Sequence, residues 1–345
     1  MKLWRKEKSL IYALHPEKIP ASGARLTYTF GLGGIAVFST LVTLVTGLAL
    51  TFYYVPTPDG AHASVVLIND VVSFGAIIRG LHYWGAQWMV IAATLHLARV
   101  VFTGGYRPPR ELNWLIGLGL LVVTLLWDFS GYVLRWDDSA YWALLVGTNL
   151  FREIPVWGET LYRALVGDAQ IGAAALLRFY GWHIFGLALV GVFGIVYHLW
   201  RLRKDGGISR PLLKAGEARA FISRDELFFR EFITAALAAA ALVFLTLLVP
   251  SPIGPAANLD AGAAEVRAPW IFLWVQDLLR VLPPVWAGIV APLVVLLALA
   301  LIPFIDRRGG NGRAIWFARE RWKPQLLLAV IAMVLVALSV REVLP

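Results

Sequence analysis

The chain has 345 residues, of which 59% are hydrophobic and 15% charged. That balance excludes a water-soluble globule and points to a chain solvated largely by lipid. The formal charge of +9 and the absence of cysteine further exclude disulfides and thiolate-held metal clusters, so any metal must be held by His or carboxylate.

The opening MKLWRKEKSLIYALHPEKIP is basic and amphipathic, with no apolar core followed by a small-residue cleavage site. We therefore expect no cleavable signal and an N-terminus on the cytoplasmic side. Seven apolar stretches follow, near residues 30–53, 80–102, 113–134, 179–201, 231–250, 285–305 and 325–342. Each is roughly the twenty residues needed to cross a hydrocarbon core of about 30 Å. With seven spans, the N-terminal segment and the loops near 103–112, 201–230 and 306–324 share one side, and they carry most of the 31 Lys and Arg residues. This is the bias expected of cytoplasmic loops. The positive charge is read as a topology signal, with anionic membrane lipids as its partner and no nucleic acid.

The predicted fold class is all-α, a polytopic membrane protein of seven transmembrane helices. The charged, Gly-containing run RKDGGISRPLLKAGEARAFISRDE divides it into an N-terminal domain of four helices, 1–210, and a C-terminal domain of three, 211–345. Two loops on the opposite side, 135–178 and 251–284, hold enough apolar and aromatic residues to form short helices on the membrane surface and to wall an outer site.

Four of the six histidines fall inside predicted spans, as the pairs His82 with His96 and His183 with His198. At 100° per residue, fourteen residues return a helix to within about 40° of its starting face and fifteen overshoot by about 60°. Each pair thus lies on one stripe, its members about 21 Å apart at 1.5 Å per residue. The second and fourth spans run in the same direction, so His82 faces His183 and His96 faces His198. Two imidazoles at one level supply both axial positions of a haem iron and leave none open, which suits electron transfer. The plainer reading is four unrelated histidines bonded to their neighbours, but ionisable residues within spans are rare and usually functional. His15 and His62 lie outside the spans and read as structural or solvated. The same interval recurs in glycines, Gly33 with Gly47 and Gly117 with Gly131. A residue without Cβ lets a flat macrocycle approach, although helix packing also uses such glycines. Arg79 and Arg99 sit one turn from His82 and His96, placed to pair with haem propionates or to snorkel.

These residues resemble the cytochrome b family of bc-type quinol:cytochrome c oxidoreductases over nearly the whole chain. The resemblance rests on the His and Gly pairs, IRGLHYWGAQWMV at 78–90, GYVLRWDDSAYWA at 131–143, KDGGISRP at 204–211, SRDELFFRE at 223–231 and PFIDR at 303–307. The fourteen residues between His183 and His198, and the four-plus-three arrangement, look like the chloroplast-type and Gram-positive branch, with its cytochrome b joined to subunit IV.

The resemblance implies two haems b, at His82/His183 near the outer face and at His96/His198 near the cytoplasm. It implies a Q cycle with quinone or menaquinone as substrate, a Rieske iron–sulfur protein and a c-type cytochrome as partners, a homodimer, and a prokaryotic cytoplasmic membrane. An inner quinone site would use Arg203, Asp225, Arg230 and Glu231, a set that a solvated basic loop would also contain. Tyr132 and Trp270 would wall the outer site. There the sequence departs from the family: the usual Pro-Glu-Trp-Tyr reads Ala268-Pro269-Trp270-Ile271, and Pro-Trp-Asp-Gln reads Arg135-Trp136-Asp137-Asp138. The carboxylate that accepts a quinol proton is therefore missing, with Glu265, Asp277, Asp137 and Asp138 as possible substitutes. An alternative follows, in which the outer quinol site is lost and the chain is a redox wire to another partner. No cysteine in the first span is present to attach a covalent extra haem, although a non-covalent third is compatible with the sequence.

Overall fold

A computed structural model of the chain describes residues 15–210, 218, 220–257, 267–306 and 314–344. The N-terminal fourteen residues, Glu265 and much of the basic run around 211–219 lie outside the described residues, and with them part of the charge pattern read from the sequence.

Seven helices are long and apolar enough to cross a membrane. In chain order the helices are α1 Leu32–Thr51, α2 Pro58–Asp70, α3 Gly75–Thr103, α4 Glu111–Val133, α5 Asp138–Arg152 and α6 Gly158–Val166. They continue with α7 Ala173–Lys204, α8 Arg224–Leu248, α9 Leu273–Leu279, α10 Trp286–Ile305 and α11 Arg319–Val343. All seven spans stand where the apolar stretches predict them. Several run past the apolar stretch, because backbone hydrogen bonding continues into the polar zone wherever a cap closes the end. Ser223 caps α8 by accepting from the Glu226 N–H at 3.2 Å, seven residues before the apolar stretch read from the sequence begins. Gly104, with φ of +64°, ends α3 in the left-handed conformation that glycine adopts without steric cost.

Both long outer loops form short helices, α5 and α6 in one and α9 in the other. Asp137 caps α5 through the Ala140 N–H at 2.9 Å. Further elements add to the predicted set. Helix α2 is started by Thr57, which accepts from the Gly60 N–H at 3.1 Å, with Pro58 at its first position. A strand β1, Lys18–Pro20, pairs antiparallel with β2, Phe221–Ser223, in the register Ile19 to Ile222. It joins the N-terminal segment to the start of α8.

The halves before and after the basic loop share a core. Leu97, Val101, Tyr106, Trp114 and Leu118 pack with Leu299, Ile302 and Leu328, and the Trp114 indole donates to the Leu299 carbonyl at 2.9 Å. Large side chains such as Leu48, Phe193, Phe244 and Val336 point outward and exposed. That is the surface a span presents to lipid, which solvates apolar groups and leaves backbone polar groups to pair within the helix.

Candidate functional site

Helices α1, α3, α4 and α7 bring the four intramembrane histidines together in two levels. His82 and His183 have ring centroids 6.0 Å apart with planes at 77°, and His96 and His198 stand 6.5 Å apart at 78°.

The His82/His183 pair is held by its neighbours. His82 Nδ1 lies 3.0 Å from the Thr43 carbonyl and 3.2 Å from Thr46 Oγ1. His183 Nδ1 lies 3.2 Å from the Trp127 carbonyl and 3.1 Å from Ser130 Oγ. A carbonyl only accepts, so Nδ1 carries the proton in both rings and Nε2 keeps its lone pair. This is how proteins orient a metal-binding imidazole. At the other level, Nδ1 of His96 and of His198 is buried without a hydrogen bond of normal geometry, although the Asn113 backbone faces His198. Sequence reasoning passed over Thr46 and Ser130; the signal was present, since each directly precedes the outer glycine of its helix, Gly47 and Gly131.

The four glycines pack against the imidazoles. A Cβ on Gly47 would lie 2.8 Å from His82 Cε1, and one on Gly131 would lie 2.6 Å from His183 Cε1. For Gly33 against His96 and Gly117 against His198 the distances are 3.2 and 3.1 Å. The first neighbour of each glycine is thus the ring itself.

The offset is fourteen positions between the histidines of α3 and between the glycines of α1 and of α4, yet fifteen from His183 to His198. The extra residue is taken up where α7 widens. Over Trp182–Gly186 the helix makes a π turn, in which the Leu187 N–H reaches the Trp182 carbonyl five residues back. A single wide turn absorbs one residue, so α7 presents its two rings on the same face and at the same two levels as α3.

This geometry suits haem b. Metal–imidazole bonds of about 2 Å on either side of an iron, added to two ring radii, put the centroids roughly 6 Å apart. Among the described residues no group of three or more His, Asp or Glu could hold a bare ion. Each level offers two ligands, the number required by a metal that brings four of its own. Arg99 is buried, its Nε has no hydrogen-bond partner, and its guanidinium lies 5.7 Å from the Tyr28 ring centre. No carboxylate pairs with it among the described residues, and a cation placed one turn from His96 suits a propionate. Arg79 is engaged otherwise, donating to Asn69 Oδ1 at 3.0 Å and to the Ser251 and Pro252 carbonyls at 2.5 and 3.3 Å. All these acceptors are neutral, so no ion pair satisfies its charge among the described residues.

Toward the His82/His183 end, Tyr132 lies under the Arg135 guanidinium at 4.2 Å, and Trp270 Nε1 donates to Gln87 Oε1 at 2.5 Å. Asp137 is fully buried and occupied by the Ala140 and Gly254 N–H groups and by Arg135 at 3.3 Å. Asp138 accepts from the Trp142 indole, and Asp277 is paired with Arg341. On the opposite side, Arg203 lines a cavity of about 350 Å³ with Lys18, Ile19, Arg210 and Phe221, and Glu231 acts on it electrostatically. His15 joins them, its Nε2 3.2 Å from the Glu231 carboxylate and its ring stacked on Phe228. Asp225 is exposed, and Arg230 pairs with Glu226 at 2.8 Å. Of the four residues read together from the sequence, Arg203 is thus coupled to Glu231, while Asp225, Arg230 and Glu231 all lie on exposed turns of α8.

The profile of the Cytochrome b/b6/petB family matches residues 18–206. The chain is 42% identical over 193 residues to cytochrome b6 of Heliobacterium mobile, covering 56% of this chain and 90% of that protein. It is 39% identical over 193 residues, with the same coverage, to cytochrome b6 of Heliomicrobium gestii. A solved structure titled hyperthermophilic respiratory Complex III superposes with a TM-score of 0.83 at 24% identity, covering 99% of this chain and 90% of that one, which supports the same fold. The chain is an integral membrane protein that belongs to the cytochrome b/b6 family, the haem-b-binding membrane subunits of bc-type quinol:cytochrome c oxidoreductases.

Proposed function

We propose that this chain is the di-haem subunit of a quinol-oxidising bc-type complex, carrying electrons between an outer and an inner quinone site. The observation that carries the reading is the two-level pairing of His82 with His183 and of His96 with His198 at 6.0 and 6.5 Å, each ring seated against a glycine. A haem b iron with two imidazole ligands exchanges one electron and has no open position for oxygen. The four histidines hold one such group at each level, about 21 Å apart along the helices. Thr43, Thr46, Trp127 and Ser130 fix the outer rings, and Arg99 balances anionic charge near the inner level.

In this reading quinol is oxidised at an outer pocket near Tyr132 and Trp270, and quinone is reduced at an inner site containing Arg203 and Glu231, with menaquinone as a candidate substrate. One electron leaves to a Rieske iron–sulfur protein that serves a c-type cytochrome, and the other crosses this chain in a Q cycle that translocates protons. The complex is a homodimer in a prokaryotic cytoplasmic membrane with the N-terminus inside. Residues 1–210 form the cytochrome b domain and 211–345 a subunit-IV-like domain.

A second reading is favoured by Pro269 and Ile271, which replace the carboxylate and phenol of the family's outer motif. The chain would then be a redox wire whose outer group exchanges electrons with another partner. A dithionite-reduced minus oxidised spectrum, followed by quinol titration with and without an outer-pocket inhibitor, tests both. Two haems b reduced by quinol in an inhibitor-sensitive way are expected. Reduction only through a partner protein supports the wire, and a colourless protein overturns both readings.

A further inference from the structure

Four candidates for the missing outer proton acceptor are visible in the sequence, and none of the three that the structure describes is hydrogen-bonded to Gln87 or Trp270. Asp137 has both oxygens committed to N–H groups and to Arg135. Asp277 is buried and paired with Arg341, tying α9 to α11. Asp138 accepts from Trp142 in the first turn of α5. Glu265 lies outside the described residues.

A different carboxylate stands in the right place. Asp128 lies on α4 one turn before Gly131 and Tyr132, and is only partly exposed. Its Oδ1 accepts from Gln87 Nε2 at 2.9 Å. Gln87, nearly buried on α3 five residues after His82, accepts at its other end from the Trp270 indole at 2.5 Å. An indole only donates, so the Gln87 amide is oriented with its NH2 toward Asp128. No Lys or Arg forms an ion pair with Asp128 among the described residues, and Oδ2 accepts no hydrogen bond there without being sealed from solvent. The charged or titratable groups that face it are Arg135, itself engaged by Asp137, and Tyr83 on α3. A carboxylate held in a span by one neutral amide, with its second oxygen unoccupied, is costly to keep and marks a functional position.

We propose that the Asp128 carboxylate takes a proton from quinol at the outer site, in place of the glutamate that Pro269 displaces, with Gln87 and Trp270 as the residues that position it. The proposal rests on the quinol-oxidising reading above. In the step, one quinol O–H bond breaks and an O–H bond forms on Asp128 Oδ2. The quinolate monoanion keeps its second proton and both electrons, which leave afterwards to the acceptors of that reading. Asp128 then returns its proton to the outer water. Asp137 cannot do this while both its oxygens are engaged, and Asp138, held by the Trp142 indole on its own helix, makes no hydrogen bond to Gln87 or Trp270 among the described residues.

The test uses the assembled complex with a short-chain naphthoquinol, comparing wild type with Asp128→Asn and Asp128→Glu. A positioned general base contributes about 100-fold or more. Asp128→Asn keeps the Gln87 contact, so its dithionite-reduced spectrum should match wild type. Its kcat should fall about 100-fold with KM changed less than about threefold, and the acid limb of the pH profile should disappear. Asp128→Glu should restore much of the rate with a displaced acid limb. If wild-type quinol oxidation is sensitive to an outer-pocket inhibitor but Asp128→Asn keeps both its rate and its acid limb, the proposal is overturned while the quinol-oxidising reading stands. If wild type itself shows no such oxidation, the underlying reading fails, and the assignment of Asp128 with it. Should Asp128→Asn fail to assemble, Asp128→Glu decides: a displaced acid limb supports the proposal and an unchanged one overturns it.

Discussion

At four positions a glycine stands where any other residue would press a carbon against an imidazole. The ring cannot yield at the outer level, because His183 Nδ1 is already fixed by Trp127 and Ser130. Gly131→Ala, with its new Cβ 2.6 Å from the ring, should cost about 1–3 kcal/mol as overpacking does, and should diminish the outer haem signal in a reduced-minus-oxidised spectrum. Gly33→Ala, at 3.2 Å, should be tolerated better. The reverse order of severity would show that the glycines serve helix contact instead of the rings.

A second residue-scale case is Asp306, which accepts from the Tyr106 phenol at 2.6 Å and pairs with Arg107 at 3.2 Å in a largely buried cluster. Removing one member of a buried ion pair costs about 3–5 kcal/mol, so Asp306→Ala should lower the thermal midpoint of the purified protein by several degrees or more. Burial, and then the Asp306 hydrogen bond, push the Tyr106 phenol above its ordinary value of 10.0. A raised pKa means that the stabilisation is complete below about pH 10 and is lost as pH rises beyond it. A loss of stability in that alkaline range that is smaller in Tyr106→Phe is the expected melting result.

At the scale of elements, the π turn in α7 decides whether two helices with different histidine spacings can serve the same two levels. Fifteen residues of regular α-helix would carry His198 about 60° past the stripe of His183. Deleting Phe185, inside the turn Trp182–Gly186, should let the helix close to regular α geometry and retain both haems. Deleting Val192, in the regular part of α7, should rotate His183 and His198 apart by about 100° and lose one haem. Haem content per chain measures both. Equal loss in the two deletions would mean that the wide turn does not act as the register device.

At the scale of the molecule, residues 211–217 connect two parts that hold each other elsewhere. β1 pairs with β2, Trp84 Nε1 donates to the Val249 carbonyl at 2.8 Å, and Trp114 Nε1 donates to the Leu299 carbonyl. Co-expressing residues 1–212 and 213–345 as separate chains should therefore yield an assembled complex with both haems, read by co-purification and spectrum. Chain closure across one loop adds little to such an assembly, because the entropy of loop closure grows only slowly with length. Failure of the pieces to associate would show that the loop does more than connect them.

The sequence by itself determined the seven spans, the all-α class and the candidate haem ligands. Those signals are local: apolar length is set by the bilayer, and the intervals between His82 and His96 or between Gly33 and Gly47 follow from helix geometry. The interval of fifteen from His183 to His198 was also visible, but its resolution was not, since a π turn depends on how α7 packs against α4. The outer site was legible only as an absence, the missing glutamate of the family motif. Asp128 lies in a span with no motif of its own, and its meaning comes from Gln87 on another helix and Trp270 on a distant loop. The inner set behaved likewise: Arg203, Asp225, Arg230 and Glu231 look alike on a charged stretch, and only the fold couples Arg203 to Glu231 and Glu231 to His15, while Arg230 pairs with Glu226. Helix periodicity fixes which residues share a face, whereas which carboxylate is left without a cationic partner among the described residues is settled by contacts between elements far apart in the chain.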